Sequence, residues 1–222
     1  MFSNVRFGTK KRYSFWWHID AAFGAFTGCI PTHQHLLQGW ECADSITIDC
    51  HKWLNIPYDS GVILTRKEHQ HLHTQVFTNG NAAYLDNAHS VFTYLNFLPE
   101  NSRRFRALPA FVSLMAYGRL GFQSIVENNI HLAQEFGKRL TQSKYFELIA
   151  PVRLNVVCFT LKNQREKIPK FISLLNGRGQ VFMTPTKLFD IPGLRAALVN
   201  WRTTEKDIDI AMRELEIAYK LL

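Results

Sequence analysis

Three observations in the sequence predict an α/β fold. Short apolar runs end at polar groups, with Phe15-Trp16-Trp17-His18-Ile19-Asp20 closing on a carboxylate and Ser45-Ile46-Thr47-Ile48 forming a second such run. Lys52 follows Asp20 by 32 residues, about one strand–crossover–strand unit. Apolar residues later step by three or four (Val126, Ile130, Ala133, Gly137, Leu140), which is the period of an amphipathic helix. Buried strands with polar C-terminal ends suit a sheet whose ligands sit beyond those ends.

The elements follow in order. Phe15 to Asp20 is predicted as a short buried strand, and the small residues Ala21 to Gly28 as the turn after it. Ser45–Ile48 and Gly61–Thr65 are predicted as the second and third strands. From Glu68 to about Leu98 the pattern dissolves into His, Gln, Asn and Thr, too long for an ordinary connector and of the kind that is either a functional lid or disordered. Val156–Leu161 is predicted as a strand, Ile168–Leu175 as a helix, and Gln180–Thr184 and Leu194–Asn200 as further strands. Thr204 and Asp207 form a capping pair for a final helix, with Ile208, Ala211, Met212, Leu215, Ala218, Tyr219 and Leu222 on one face. The expected organisation is an α/β unit over residues 1–108 and a smaller α+β unit over 109–222.

Composition narrows the function classes. The 222 residues are 46% hydrophobic and 20% charged, ordinary globular usage that excludes a disordered chain. The net charge of +8 tolerates an anionic ligand without identifying one. Cys29, Cys42, Cys50 and Cys158 lack the spacing of a disulfide framework or a zinc ribbon and point to a reducing interior. No apolar run approaches the about 18 residues that span a bilayer, and basic Met1–Phe15 lacks a signal peptide's apolar stretch. The expectation is a cytoplasmic chain with no membrane, metal or nucleic-acid partner.

Chemistry concentrates in Asp20-Ala21-Ala22 and His51-Lys52. Parallel neighbouring strands would bring Asp20 and Lys52 to one edge of the sheet. An ion pair is the simpler reading of that juxtaposition. The sharper one is a pyridoxal phosphate site, with Lys52 forming the Schiff base and Asp20 keeping the pyridine nitrogen protonated. Loss of carbon dioxide from an amino acid leaves a carbanion, and a protonated ring accepts its charge far better than a neutral one. Ala22 is small enough to let a ring lie flat.

The stretch WWHIDAAFGAFTGCIPTHQHLLQGWECADSITIDCHKWLNIPYDSGVILTR resembles the group II pyridoxal-phosphate decarboxylases, which include the aromatic-L-amino-acid, tyrosine and glutamate enzymes. HIDAA, ADSITIDCHKW and YDSG match in order and spacing, and SRRFRALPAF and NWRTTEKDID continue the match towards the C-terminus. The resemblance implies a fold type I enzyme, here part of the large domain plus the C-terminal small domain, decarboxylating an L-amino acid, by preference an aromatic one. It also implies that Lys52 carries the cofactor, Asp20 partners the pyridinium, Ala22 packs on the ring face and His51 lies near the cofactor. NAAYLDN resembles the family's catalytic loop and places its proton-donating tyrosine at Tyr84, a phenol that stays protonated at neutral pH. Asp49 stands where some relatives have an asparagine near the phosphate, and it is left without a role.

The resemblance further implies a homodimer in full-length relatives, with their N-terminal portion lying outside this match. That portion supplies a ring-stacking histidine, the main phosphate loop and much of the substrate pocket. The expectations are therefore an enzyme in truncated form, one half of a split enzyme with an N-terminal partner chain, or an inert remnant. A lyase or transaminase of the same fold is a further alternative. Four other features have simpler readings. His69, His71 and His73 would share a face on a strand but read as solvated loop residues. Arg103, Arg104 and Arg106 read as a set pairing with nearby carboxylates at the start of a helix. Arg195 is an alternative substrate contact, by analogy with aminotransferases of the fold. Cys50 reads as a buried small hydrophobe.

Overall fold

The computed structural model describes residues 9–10, 12–77, 94–100 and 102–222. The chain divides into two compact units, Met1–Arg119 and Leu120–Leu222, whereas the sequence reading divides it at 108.

In the first unit, β1 (His18–Asp20), β2 (Ser45–Asp49) and β3 (Gly61–Thr65) form a sheet in the order β1-β2-β3. β1 and β2 are parallel, with Asp20 opposite Thr47, and β3 runs antiparallel to β2. Between β1 and β2 the chain crosses over in three 3-10 segments, Gly24–Cys29, Pro31–Leu37 and Trp40–Cys42. Pro31 starts the second of these, where its missing N–H leaves no bond unmade. Trp17, Ala21, Ile30, Ala43, Cys50, Trp53, Leu54 and Ile56 are buried apolar residues of this unit. The expectation of buried strands fails for β1, which is only His18–Asp20 with His18 and Asp20 exposed and the preceding Phe15 and Trp16 also exposed, and it fails for β3. Val62, Ile63 and Leu64 are each between 41% and 50% exposed, so both faces of this edge strand are open in the chain alone.

Asp44, just before β2, is the polar hub of this unit. It is buried and accepts hydrogen bonds from the Trp17 N–H at 2.7 Å and from His69 Nε2 at 2.9 Å, and it pairs with Lys10. Burial pushes its carboxyl up, but the bonds from Lys10, Trp17 and His69 outweigh that and hold it lowered, at about 2. A carboxyl depressed in the folded state contributes stability that is full above its unfolded value and is lost as pH falls through the folded one. Between pH 4 and pH 2 the wild-type chain should therefore lose stability that Asp44→Asn lacks throughout. Melting temperatures of the two chains should converge across that window.

The described residues after β3 are more regular than their composition suggests. Lys67–His69 is a 3-10 turn, α1 spans Gln70–Phe77, and Tyr94–Phe97 is another 3-10 turn. His71 and His73 thus lie on a helix and not on a strand. His71 Nδ1 lies 3.0 Å from the Glu68 carbonyl, and His73 Nε2 lies 3.1 Å from Thr65 Oγ1. Two of the three clustered arginines pair as expected, Arg104 and Arg106 on Asp59 at 2.7 and 3.1 Å and Arg106 also on Glu100 at 2.8 Å. α2 (Ala107–Gln142) follows, interrupted at Gly118, whose φ of 57° is left-handed.

The second unit is an antiparallel sheet in the order β4-β5-β7-β6, with helices packed on it: β4 (Phe146–Leu148), β5 (Val156–Leu161), α3 (Ile168–Gly177), β6 (Thr184–Leu188), β7 (Ile191–Ala197) and α4 (Glu205–Lys220). The strand expected over 180–184 falls instead at Thr184–Leu188, and the one expected over 194–200 begins earlier, at Ile191. Phe136, Phe146, Phe159 and Phe171 form the aromatic centre of the core, joined by Leu140, Leu161, Leu175 and Leu194. Arg195 lies on β7, opposite Cys158 and Thr184.

α4 carries the predicted capping box, with the Thr204 side chain taking the Asp207 backbone and the Asp207 carboxylate taking the Thr204 N–H at 2.8 Å. The Thr204 N–H and the Thr204 hydroxyl, which both donate to the Asp207 carboxylate, lower its carboxyl. Thr204→Ala should cost about 1 kcal/mol in chemical denaturation.

Candidate active site

Local backbone structure brings Asp20, Ala22, His51 and Lys52 to one end of β1 and β2. Ala21 N–H donates to the Thr47 carbonyl at 2.9 Å, extending the β1–β2 ladder to the first residue past Asp20. Ala22 N–H then donates to Asp20 Oδ1 at 3.0 Å, an Asx-type turn that orients the carboxylate. His18, two residues before Asp20, shares its side of the strand, and its ring nitrogens lie 2.7 Å from Ser45 Oγ and 3.3 Å from Thr47 Oγ1.

The loop after β2 is clamped on both sides of His51-Lys52. Cys50 and Trp53 are fully buried, Asn55 N–H donates to the Lys52 carbonyl at 3.0 Å, and Ile56 N–H donates to the Cys50 carbonyl at 3.3 Å. Asn55 takes a left-handed φ of 54°, which asparagine tolerates better than most residues. His51 and Lys52 are left partly exposed between two buried anchors. Burial also pushes the Cys50 thiol up, in keeping with a packing residue and not a nucleophile.

The Lys52 amine lies 2.8 Å from Asp49 Oδ2 and 4.1 Å from the centre of the Phe23 ring. The same Asp49 oxygen is 3.5 Å from His51 Nε2. The His51 ring stacks on Tyr58 at 4.1 Å, and its Nδ1 lies 3.3 Å from the Ser60 carbonyl. The simpler sequence reading, an ion pair between Lys52 and Asp20, is not what forms. Among the described residues the carboxylate paired with Lys52 is Asp49. The amine instead reaches over Phe23, three residues beyond Asp20, and so meets the segment that follows β1.

Sequence reasoning missed Phe23 and left Asp49 without a role. The available signals were positional, Phe23 at three after Asp20 and Asp49 at three before Lys52. Tyr84 lies outside the described residues.

An amine beside the end of one strand and an oriented carboxylate at the end of its parallel neighbour are two of the groups that a pyridoxal phosphate site uses. Lys52 would hold the cofactor's carbonyl carbon, Asp20 its ring nitrogen, and Ala22 would leave room for the ring.

Residues 8–162 match the model of the pyridoxal-dependent decarboxylase conserved domain. The chain belongs to this family. Its cofactor is pyridoxal phosphate, and the fold is that of the fold type I decarboxylases. Among curated relatives, the aromatic-L-amino-acid decarboxylase of Drosophila lebanonensis is 30% identical over 210 residues, covering 94% of this chain and 51% of that protein. Tryptophan decarboxylase 2 of Oryza sativa subsp. japonica is 31% identical over 216 residues, covering 92% of this chain and 43% of that protein. The crystal structure of Catharanthus roseus tryptophan decarboxylase in complex with L-tryptophan superposes with a TM-score of 0.82 at 26% identity, over 99% of this chain and 45% of that one. The chain thus spans about half the length, or somewhat less, of the relatives that it matches.

Among the described residues no helix is long and apolar enough to cross a membrane.

Proposed function

We propose that the chain takes part in pyridoxal-phosphate-dependent decarboxylation of an L-amino acid, with an aromatic side chain preferred. The observation that carries this reading is the parallel pairing of β1 with β2, which sets Asp20 and the Lys52 loop at the same end of adjacent strands. The aromatic preference is supported by the named activities of the fly and rice relatives and by the likeness of NAAYLDN to the aromatic enzymes' loop.

Pyridoxal phosphate, when bound, supplies the electron sink that takes up the pair left by departing carbon dioxide. The chain's own residues would do the rest. Lys52 would anchor the cofactor through Nζ and yield to the substrate amine. Asp20 would keep a proton on the ring nitrogen, because a carboxylate at contact distance favours the charged form. Ala22 would provide a flat, small-residue platform and His51 a neighbouring polar group. Tyr84 would deliver the proton to the α-carbon. Release of carbon dioxide from L-tyrosine, L-tryptophan and L-glutamate by the 222-residue chain, with Lys52→Ala as the control, tests the reading. Release from the aromatic substrates, abolished in Lys52→Ala, supports it. Release that survives in Lys52→Ala contradicts it.

A second reading, that the chain acts only when joined by further polypeptide, is favoured by its exposed apolar surface. Val62, Ile63 and Leu64 on β3, and Phe111, Met115 and Leu120 on α2, are exposed in the chain alone. The polypeptide would be a second copy, as in the family's homodimers, or a separate chain equivalent to the unmatched part of the relatives. Adding such a chain should then restore activity that the isolated chain lacks. The proposed setting is the cytoplasm.

A further inference from the structure

We propose that Asp49 is the positioning residue for Lys52: its Oδ2 holds the amine while the amine is unengaged and turns to His51 when the amine leaves. The inference rests on the reading of Lys52 as the cofactor lysine. One carboxylate oxygen serves both neighbours, at 2.8 Å from Lys52 Nζ and 3.5 Å from His51 Nε2. The second contact is too long for a strong hydrogen bond while the first is made, and it lies where a small rotation of the carboxylate would close it. The Phe23 ring, 4.1 Å from the amine, also supports the ammonium.

The backbone need not move for the exchange. Cys50 and Trp53, on either side of the His51-Lys52 pair, are fully buried, so only side chains rotate. An amine held in an ion pair cannot engage a carbonyl carbon until it leaves the carboxylate. A carboxylate abandoned beside a half-buried loop would lose its compensation unless a second donor stood ready. His51 is that donor in the tautomer that carries its proton on Nε2, which gives up the 3.3 Å contact of Nδ1 with the Ser60 carbonyl. The arrangement gives a reason for an acidic residue three positions before the lysine, where its charge would otherwise oppose a phosphate.

Competitive acetylation of the whole 222-residue chain with acetic anhydride, read by peptide mass spectrometry against Lys138, measures how firmly Lys52 is held. In Asp49→Ala, acetylation of Lys52 relative to Lys138 should rise about fivefold, the scale of a partly exposed ion pair, and Asp49→Glu should return it to about the wild-type value. Asp49→Asn keeps the volume and an acceptor oxygen without the charge and should give an intermediate rise. It also serves if circular dichroism shows that the alanine variant unfolds. Acetylation of Lys52 in the wild type should shift the His51 ring resonances, and in Asp49→Ala should leave them in place. Unchanged Lys52 acetylation in the alanine and asparagine variants, or His51 resonances indifferent to Lys52 acetylation, would overturn the proposal. Borohydride trapping of pyridoxal phosphate separates this from the reading beneath it. A rise in acetylation without any label at Lys52 keeps the hold of Asp49 and rejects Lys52 as the cofactor lysine.

Discussion

Asp20→Asn should lower decarboxylation by about a thousandfold while leaving cofactor attached at Lys52. The substitution is nearly isosteric, and asparagine Oδ1 can still accept the Ala22 N–H that Asp20 accepts at 3.0 Å. The turn at the end of β1 and the Ala21–Thr47 bond beside it should therefore persist. What is lost is the negative charge that would keep a proton on the ring nitrogen, and with it the means of taking up charge as carbon dioxide departs. Carbon dioxide release and borohydride-fixed label should separate, the first falling and the second holding. If both fall together, Asp20 acts in binding; if neither moves, it has no part in the chemistry.

Phe159→Ala should destabilise the second unit by about 3–5 kcal/mol. Phe159 is fully buried, and its ring meets Phe136 and Phe146 edge-on at 5.8 and 5.9 Å. Phe146 in turn contacts Phe171 and Tyr219, so the lost ring would loosen packing on β5, α2, α3 and α4 at once. Gly193, on the adjoining strand β7, lies close against the Phe159 backbone. A Cβ there would sit 2.3 Å from the Phe159 carbonyl oxygen. Denaturant midpoints followed by circular dichroism measure the loss, and a cost near that of a surface substitution would contradict this account of the core.

The sequence is most legible where one physical requirement dominates. Val156–Leu161 is an apolar run of strand length, and β5 occupies the same span. Thr204 and Asp207 announce a helix start because their hydrogen bonds are local. β6 is hidden because Thr184-Pro185-Thr186-Lys187-Leu188 is a polar edge strand, and its turn uses Phe189 and Asp190 in left-handed conformations without the usual glycine. The apolar Val181 and Met183 suggest a strand in its place. Met183 instead forms a loop tied to Asn176, which binds both its N–H and its carbonyl at 3.0 Å. α1 is masked by its His and Gln content, which leaves little apolar period to read.

At the candidate site, the placement of Asp20 and the Lys52 loop at one end of the sheet is legible because their spacing is about one strand–crossover–strand unit, and β1 and β2 are parallel. The pairing of Lys52 with Asp49 is set by the turn between two buried anchors, Cys50 and Trp53, and no periodicity encodes it. Phe23 escapes notice for a similar reason, since its position under the amine depends on how the 3-10 crossover leaves β1.

The measurement that tests the central claim most directly is reduction with borohydride after incubation with pyridoxal phosphate, followed by peptide mapping. The account predicts a single dominant label on Lys52, with a visible absorption band that disappears on reduction, and loss of both in Lys52→Ala. Label scattered over surface lysines, or a band that survives in Lys52→Ala, would contradict it.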